Sequence, residues 1–318
     1  MDVAGPIVVC RGSMADWNSV DLKHVLSRRF NYEARSAGLF ILPVMSVLGV
    51  VAVFPIFYSF YISLFSLKLS RPQRVPFVWF DNYAKVLADE LFWGSVWRTT
   101  AFTLMSVTAI SVIALLIALL LNETFRGRRF VGAMMLVPWA IPTVANGLLW
   151  KWIYDSGFGA LNGLLYQLGF IGSYITWLGD ADKTLPLIAN AFVWKEVPLA
   201  AILILVTMKS IPADLYRAAK VDGANLLQRF VHITLPSLKP GFMLVVIYES
   251  MMAIRHFDLF FLLTEGGPGE ASHVVSWQIY VETFRNLSFG TGSAMSYLLA
   301  IVTFALAYFV IKTLGRKV

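Results

Sequence analysis

Six ionisable residues sit inside stretches of this 318-residue chain that are otherwise apolar: Lys195 and Glu196, then Glu249, Arg255, His256 and Asp258. Carboxylates, cations and an imidazole at such spacings can exchange protons, bind a polar ligand or neutralise one another. On a continuous helix Glu249 and His256, seven apart, share one face two turns from each other. Arg255 and Asp258, three apart, can pair along it. The six read either as mutually neutralising packing charges, one pair of them across two helices, or as a polar patch lining a cavity. Lys151, near a helix end, reads as an anchor that snorkels to the interface.

Catalytic chemistry finds little support. The chain has no Ser–His–Asp or paired-carboxylate arrangement and no Gly-x-x-x-x-Gly-Lys-Ser/Thr loop to cradle a phosphate. Gly266-Gly267-Pro268-Gly269 is glycine-rich, but follows no strand and reads as a turn. A single cysteine, Cys10, excludes an internal disulfide, and His24, His232, His256 and His273 are scattered, so no metal site is expected.

The elements that must hold these charges are membrane helices. Hydrophobic residues make up 58% of the chain and charged residues 14%, far from the balance of a soluble domain. Apolar runs of bilayer length recur. The expected class is an all-α integral membrane protein with six spans, at 37–67, 99–121, 130–154, 185–208, 241–263 and 291–313, behind a polar segment 1–36. Prolines 43, 55, 138, 142 and 198 fall inside spans, where breaks are tolerated if the helix lines a cavity. No cleavable signal peptide is expected, and an amphipathic helix is expected near 17–29. Sixteen Lys and Arg lie on one side of this topology and seven on the other. Both termini and the 210–240 segment are therefore expected in the cytoplasm. The net charge of +7 is a topology signal, and no nucleic-acid partner is expected.

Residues 210–240 are too long and too structured for a simple connection. A short helix after Pro212, capped by Asp214 or its neighbour, would present Leu215, Ala218, Ala219 and Val221 on one small apolar face. Asp222-Gly223-Ala224 breaks it. A second helix over 226–233 ends at Leu235-Pro236. Such a hairpin either docks a partner or lies on the membrane surface.

The series Leu215-Tyr216-Arg217-Ala218-Ala219-Lys220-Val221-Asp222-Gly223-Ala224, with Leu235-Pro236, resembles the coupling loop of ABC importer permeases, of the maltose and glycerol-phosphate type. Phe80-Asp81-Asn82-Tyr83, Val137-Pro138-Trp139-Ala140-Ile141-Pro142, Gly159-Ala160-Leu161-Asn162 and Thr264-Glu265-Gly266-Gly267-Pro268 resemble the same family, over roughly 38–315. Arg217 stands where that family carries Glu, and Arg98-Thr99 where it carries Asn-Thr.

The resemblance implies a type I importer permease domain over 37–318 in the bacterial inner membrane, with no catalysis and no cofactor of its own. ATP and Mg would belong to two cytoplasmic ATPase subunits, contacted by Tyr216, Arg217, Ala218, Ala219, Asp222, Gly223, Ala224, Leu235 and Pro236. A second homologous permease, a solute-binding protein and membrane lipid would complete the set of partners. The family's sugar-contacting positions align with Trp139, Thr143, Lys195, Glu196, Glu249, Ala253 and His256, to which Arg255 is added as a neighbouring cation. Those cations would suit an oligosaccharide bearing carboxylates, of the alginate kind. Two other classes stay open. One is an ion-coupled transporter using Glu249, His256 and Asp258 as a proton relay. The other is a membrane enzyme acting on lipid-linked sugars.

Overall fold

A computed structural model describes residues 40–314. The segment 1–36, with the helix expected near 17–29, lies outside the described residues. The chain divides into two compact units between Ser59 and Phe60.

Helix α1 is Phe40–Ser63. It widens into a π-turn at Gly49–Val53, closed by the Phe54 amide on the Gly49 carbonyl. Pro55 follows, without an N–H and with a ring that would meet the carbonyl four residues back, and the wider turn accommodates both. The same device precedes Pro236, where Leu235 closes a π-turn over Phe230–Thr234.

The elements after α1 are α2 (Asp81–Leu87), α3 (Glu90–Asn122), α4 (Arg128–Ala140), α5 (Thr143–Ile153) and α6 (Ala160–Gln167). Then come α7 (Ala181–Lys209), α8 (Ala213–Val221), α9 (Leu226–Ser237), α10 (Lys239–Ile254), α11 (Asp258–Leu263), α12 (Val275–Tyr280) and α13 (Phe289–Leu314). Asp89 caps α3 by accepting from the Leu91 amide at 3.1 Å, and Asp180 caps α7 through the Asp182 amide at 3.0 Å.

Helices α1, α3, α7 and α13 are each long and apolar enough to cross a bilayer. The third expected span is not one helix: α4 and α5 meet at 94°. Ile141 precedes Pro142 and is driven to an extended conformation (ψ 129°), since the proline ring disfavours helical angles in the residue before it. The fifth expected span also breaks. It enters through α9 and α10, which meet at 58°, and stops at Ile254. A three-residue gap follows before α11.

The core is the seam between α3 and α7. Phe102, Ser106, Ile110, Ala114 and Ala118 form a buried ridge at four-residue spacing on α3, and Ile188, Phe192, Glu196, Ala200, Ile204 and Met208 form another on α7. Ridges of this spacing interdigitate, and small residues bring membrane helices close. Phe102 also packs edge-on to Phe260 of α11, with ring centres 4.9 Å apart.

Two motif asparagines are explained by their bonds. Asn82 is buried and donates to the carbonyls of Ser63 and Phe65, at 2.7 and 2.9 Å, closing the C-terminal end of α1. Asn162 donates to the Asp155 and Ile175 carbonyls and accepts from the Ile175 amide and the Trp177 indole, so all four of its positions are filled.

Candidate functional site

The proline break between α4 and α5 places Trp139, at the end of one helix, and Thr143, at the start of the next, on the rim of one cavity. Lys195 and Glu196 from the middle of α7 join them, with Tyr248, Met252, Arg255, His256, Phe257 and Asp258 from the end of α10 and the gap after it. The cavity holds about 300 Å³. Pro142 caps α5 without a side-chain bond. The first amides of α5, at the positive end of its dipole beside Thr143, thus have no capping side chain from Pro142.

Within the cavity the Lys195 ammonium lies 3.4 Å from the Glu196 carboxylate. Arg255 and Asp258 do not pair as their spacing suggested, because the helix has ended between them. Among the described residues the Arg255 guanidinium has one side-chain partner, the Met252 sulfur at 3.0 Å. The break is stabilised by Ser276, whose hydroxyl donates to the His256 carbonyl at 2.6 Å. His256 lies edge-on to Phe192, 4.9 Å between ring centres. Six of the eight residues singled out from sequence are brought together here. Glu249 and Ala253 are not part of the lining. Both are buried on α10, and among the described residues neither carboxylate oxygen of Glu249 has a hydrogen-bond partner. The shared face expected for Glu249 and His256 does not exist, since α10 ends at Ile254.

The 210–240 segment is a helical hairpin. Its first helix, α8, is capped by Pro212 with no side-chain bond. Asp214 does not cap it; it pairs with Arg217 one turn later. Gly223 turns the chain at φ 80°, a backbone angle glycine adopts without strain. Asn225 and Gln228 then form a reciprocal capping box at the start of α9. The second helix runs on through Leu235-Pro236 to Ser237, beyond its expected end, because the π-turn absorbs the proline. Tyr216 turns inward to bond Thr234 at 2.9 Å, locking α8 onto α9. Ala219 turns inward with it, so the exposed apolar face of α8 is Leu215, Ala218 and Val221, extended by Leu226 and Leu227.

Residues 110–317 match the family of binding-protein-dependent transport system inner membrane components. The chain belongs to that family. The trehalose/maltose transport system permease protein MalF of Thermococcus litoralis is 37% identical over 287 residues, 89% of this chain and 96% of the relative. The sulfoquinovosyl glycerol transport system permease protein SmoG of Agrobacterium fabrum is 36% identical over 245 residues, 77% of this chain and 78% of its own length. A crystal structure of a bacterial ABC transporter involved in the import of the acidic polysaccharide alginate shares the fold, with a TM-score of 0.76 at 21% identity, covering 91% of this chain and 99% of that one. The fold is thus the all-helical type I permease fold, and the chain is a multi-pass permease component rather than an enzyme.

Tyr248, Met252 and Phe257 are cavity residues of this permease that sequence reading passed over. The signal was present: Tyr248, Met252 and Arg255 recur at the four-then-three spacing of one helix face.

Proposed function

We propose that this permease conducts carbohydrate inward across the bacterial cytoplasmic membrane as one half of an ATP-driven importer. Its central cavity would hold the solute during alternating access. The observation that carries this reading is the convergence of Trp139, Thr143, Lys195, Glu196, Arg255 and His256 on one cavity beside a broken helix. An indole can cover the apolar face of a sugar ring, while Thr143 and the charged groups bond its hydroxyls. Relatives named for trehalose, maltose and sulfoquinovosyl glycerol transport support the solute class.

In this reading a second homologous permease completes the pathway and a binding protein delivers solute to the outer face. Two ATPase subunits, carrying ATP and Mg, dock below, one of them on the exposed face of α8. Both termini lie in the cytoplasm. ATP shifts the assembly to its outward state only through contacts that differ between the two states, and α8, locked to α9 by Tyr216, is the lever that transmits them. The proton-relay alternative loses its geometry at the Arg255 break.

The solute we favour is an oligosaccharide with acidic groups. Lys195 is already matched by Glu196, whereas Arg255 has no carboxylate partner among the described residues. It is the cation free to meet a uronate. Arg255→Ala is expected to slow uptake of digalacturonate about tenfold or more, the worth of one charge-assisted hydrogen bond, with maltose uptake retained. Unchanged digalacturonate uptake in both Lys195→Ala and Arg255→Ala would remove the acidic solute from the account.

A further inference from the structure

A second polar cavity, of about 330 Å³, opens at the N-terminal end of α3, whose C-terminal end lies beside the 210–240 hairpin. Lys68, Lys85, Asp89, His273, Gln278 and Glu282 line it, and Val281 and Met295 give it an apolar wall. Gln278 is 96% buried (4% exposed). Its Nε2 donates to the Asp89 carboxylate at 3.2 Å, which fixes the amide, and among the described residues its Oε1 then accepts from no donor. A buried carbonyl oxygen without a donor is costly unless a ligand or water supplies one.

His273 presents a second open acceptor. The Ser95 hydroxyl gives its proton to the Leu91 carbonyl at 2.9 Å, so His273 Nδ1, 3.0 Å from Ser95 Oγ, is the donor of that pair. Nε2 is left with a lone pair. Among the described residues Lys68 and Lys85 have no ion-pair partner, and the Glu282 carboxylate has one side-chain partner, Asn286, at 2.7 Å.

Two ammoniums and two carboxylates leave the cavity without net charge, so it favours neither a simple anion nor a simple cation. The group that satisfies both is a hydroxyl, which donates and accepts at one atom, and several hydroxyls on a ring with an apolar C–H face also match Val281 and Met295. We propose that this cavity is a second saccharide site at the outer mouth of the permease, occupied before solute reaches the central cavity. The ligand class and the outward placement rest on the transport reading above.

The test is equilibrium binding of labelled maltose, and in turn digalacturonate, to the assembled transporter in lipid without ATP. Trp139→Ala silences the central cavity and is expected to leave one class of sites. Adding Gln278→Leu should weaken that remaining binding about tenfold or more. Lys85→Gln, on an exposed face of α2, should weaken it too, and serves if Gln278→Leu does not assemble. Residual binding untouched by both outer substitutions, or abolished by Trp139→Ala alone, overturns the second site while leaving carbohydrate transport standing. Absence of sugar binding in the wild-type assembly overturns both.

Discussion

Lys195 and Glu196 are sequence neighbours, yet their side chains meet at 3.4 Å in the middle of α7. Adjacent residues on a helix diverge by about 100° and do not ordinarily face each other. The two side chains therefore bend toward a common point, and that point is the central cavity. Glu196 belongs to the buried ridge against α3, so the pair ties the cavity to the tightest seam in the bundle.

Breaking this pair from one side strands a charge in a low-dielectric site. Glu196→Gln is expected to destabilise the permease by about 3–5 kcal/mol, read as a lower unfolding temperature of the purified assembly. The double variant Lys195→Met/Glu196→Leu should recover most of that stability but not transport, because it removes the polar groups offered to solute. Equal stability in the single and double variants would show that the pair is not coupled.

Pro142 offers the opposite separation. Pro142→Ala restores an amide and frees Ile141 to adopt helical angles, so the 94° break loses its local cause. Stability should hold or rise while solute uptake falls. Spin-label distances across the break should lengthen as the helix straightens; wild-type distances together with wild-type uptake would contradict the role given to this bend.

Much of this was legible in the sequence. Apolar run lengths located the membrane helices, and six of the cavity-lining residues stood out in the sequence, while Tyr248, Met252 and Phe257 did not. Two things were not legible. The Ile141-Pro142 break was visible as a proline but not as a right-angle turn, since prolines also sit inside an intact α7 at 186 and 198. The end of α10 at Ile254 has no proline or glycine to announce it. It depends on Ser276, twenty residues on, supplying a donor to the His256 carbonyl, which no local pattern reveals.

The Asp214–Arg217 pair on α8 bears on coupling. Both side chains are exposed, at 80% and 76%, so their contribution to stability is below about 1 kcal/mol. Arg217→Glu should therefore leave the unfolding temperature nearly unchanged and alter how much ATPase co-purifies. Asp214→Arg/Arg217→Glu keeps the pair but reverses it. If the double variant recovers ATPase binding, the intrahelical pair is what matters; if it does not, Arg217 itself faces the partner.

His273 gives a pH dependence. Burial is the main cause holding its proton affinity below the usual histidine value of 6.5, with Arg98 adding to the effect and Glu270 and Asp89 opposing it. The unfolded chain then takes up a proton before the folded one does. Its contribution is intact above pH 6.5 and lost as pH falls below that value toward the folded pKa. Thermal unfolding from pH 8 to about pH 5 should show this loss in the wild type and a smaller one in His273→Gln; identical slopes would assign it elsewhere.

In the proposed mechanism this chain couples solute to a partner ATPase through the 210–240 hairpin. ATP hydrolysis by the lipid-reconstituted assembly, with and without solute-loaded binding protein, tests it most directly. Loaded binding protein should stimulate hydrolysis, and that stimulation should be lost when Tyr216→Phe frees α8 from Thr234, with the ATPase still bound. Hydrolysis indifferent to loaded binding protein, or stimulation unchanged in Tyr216→Phe, would contradict it.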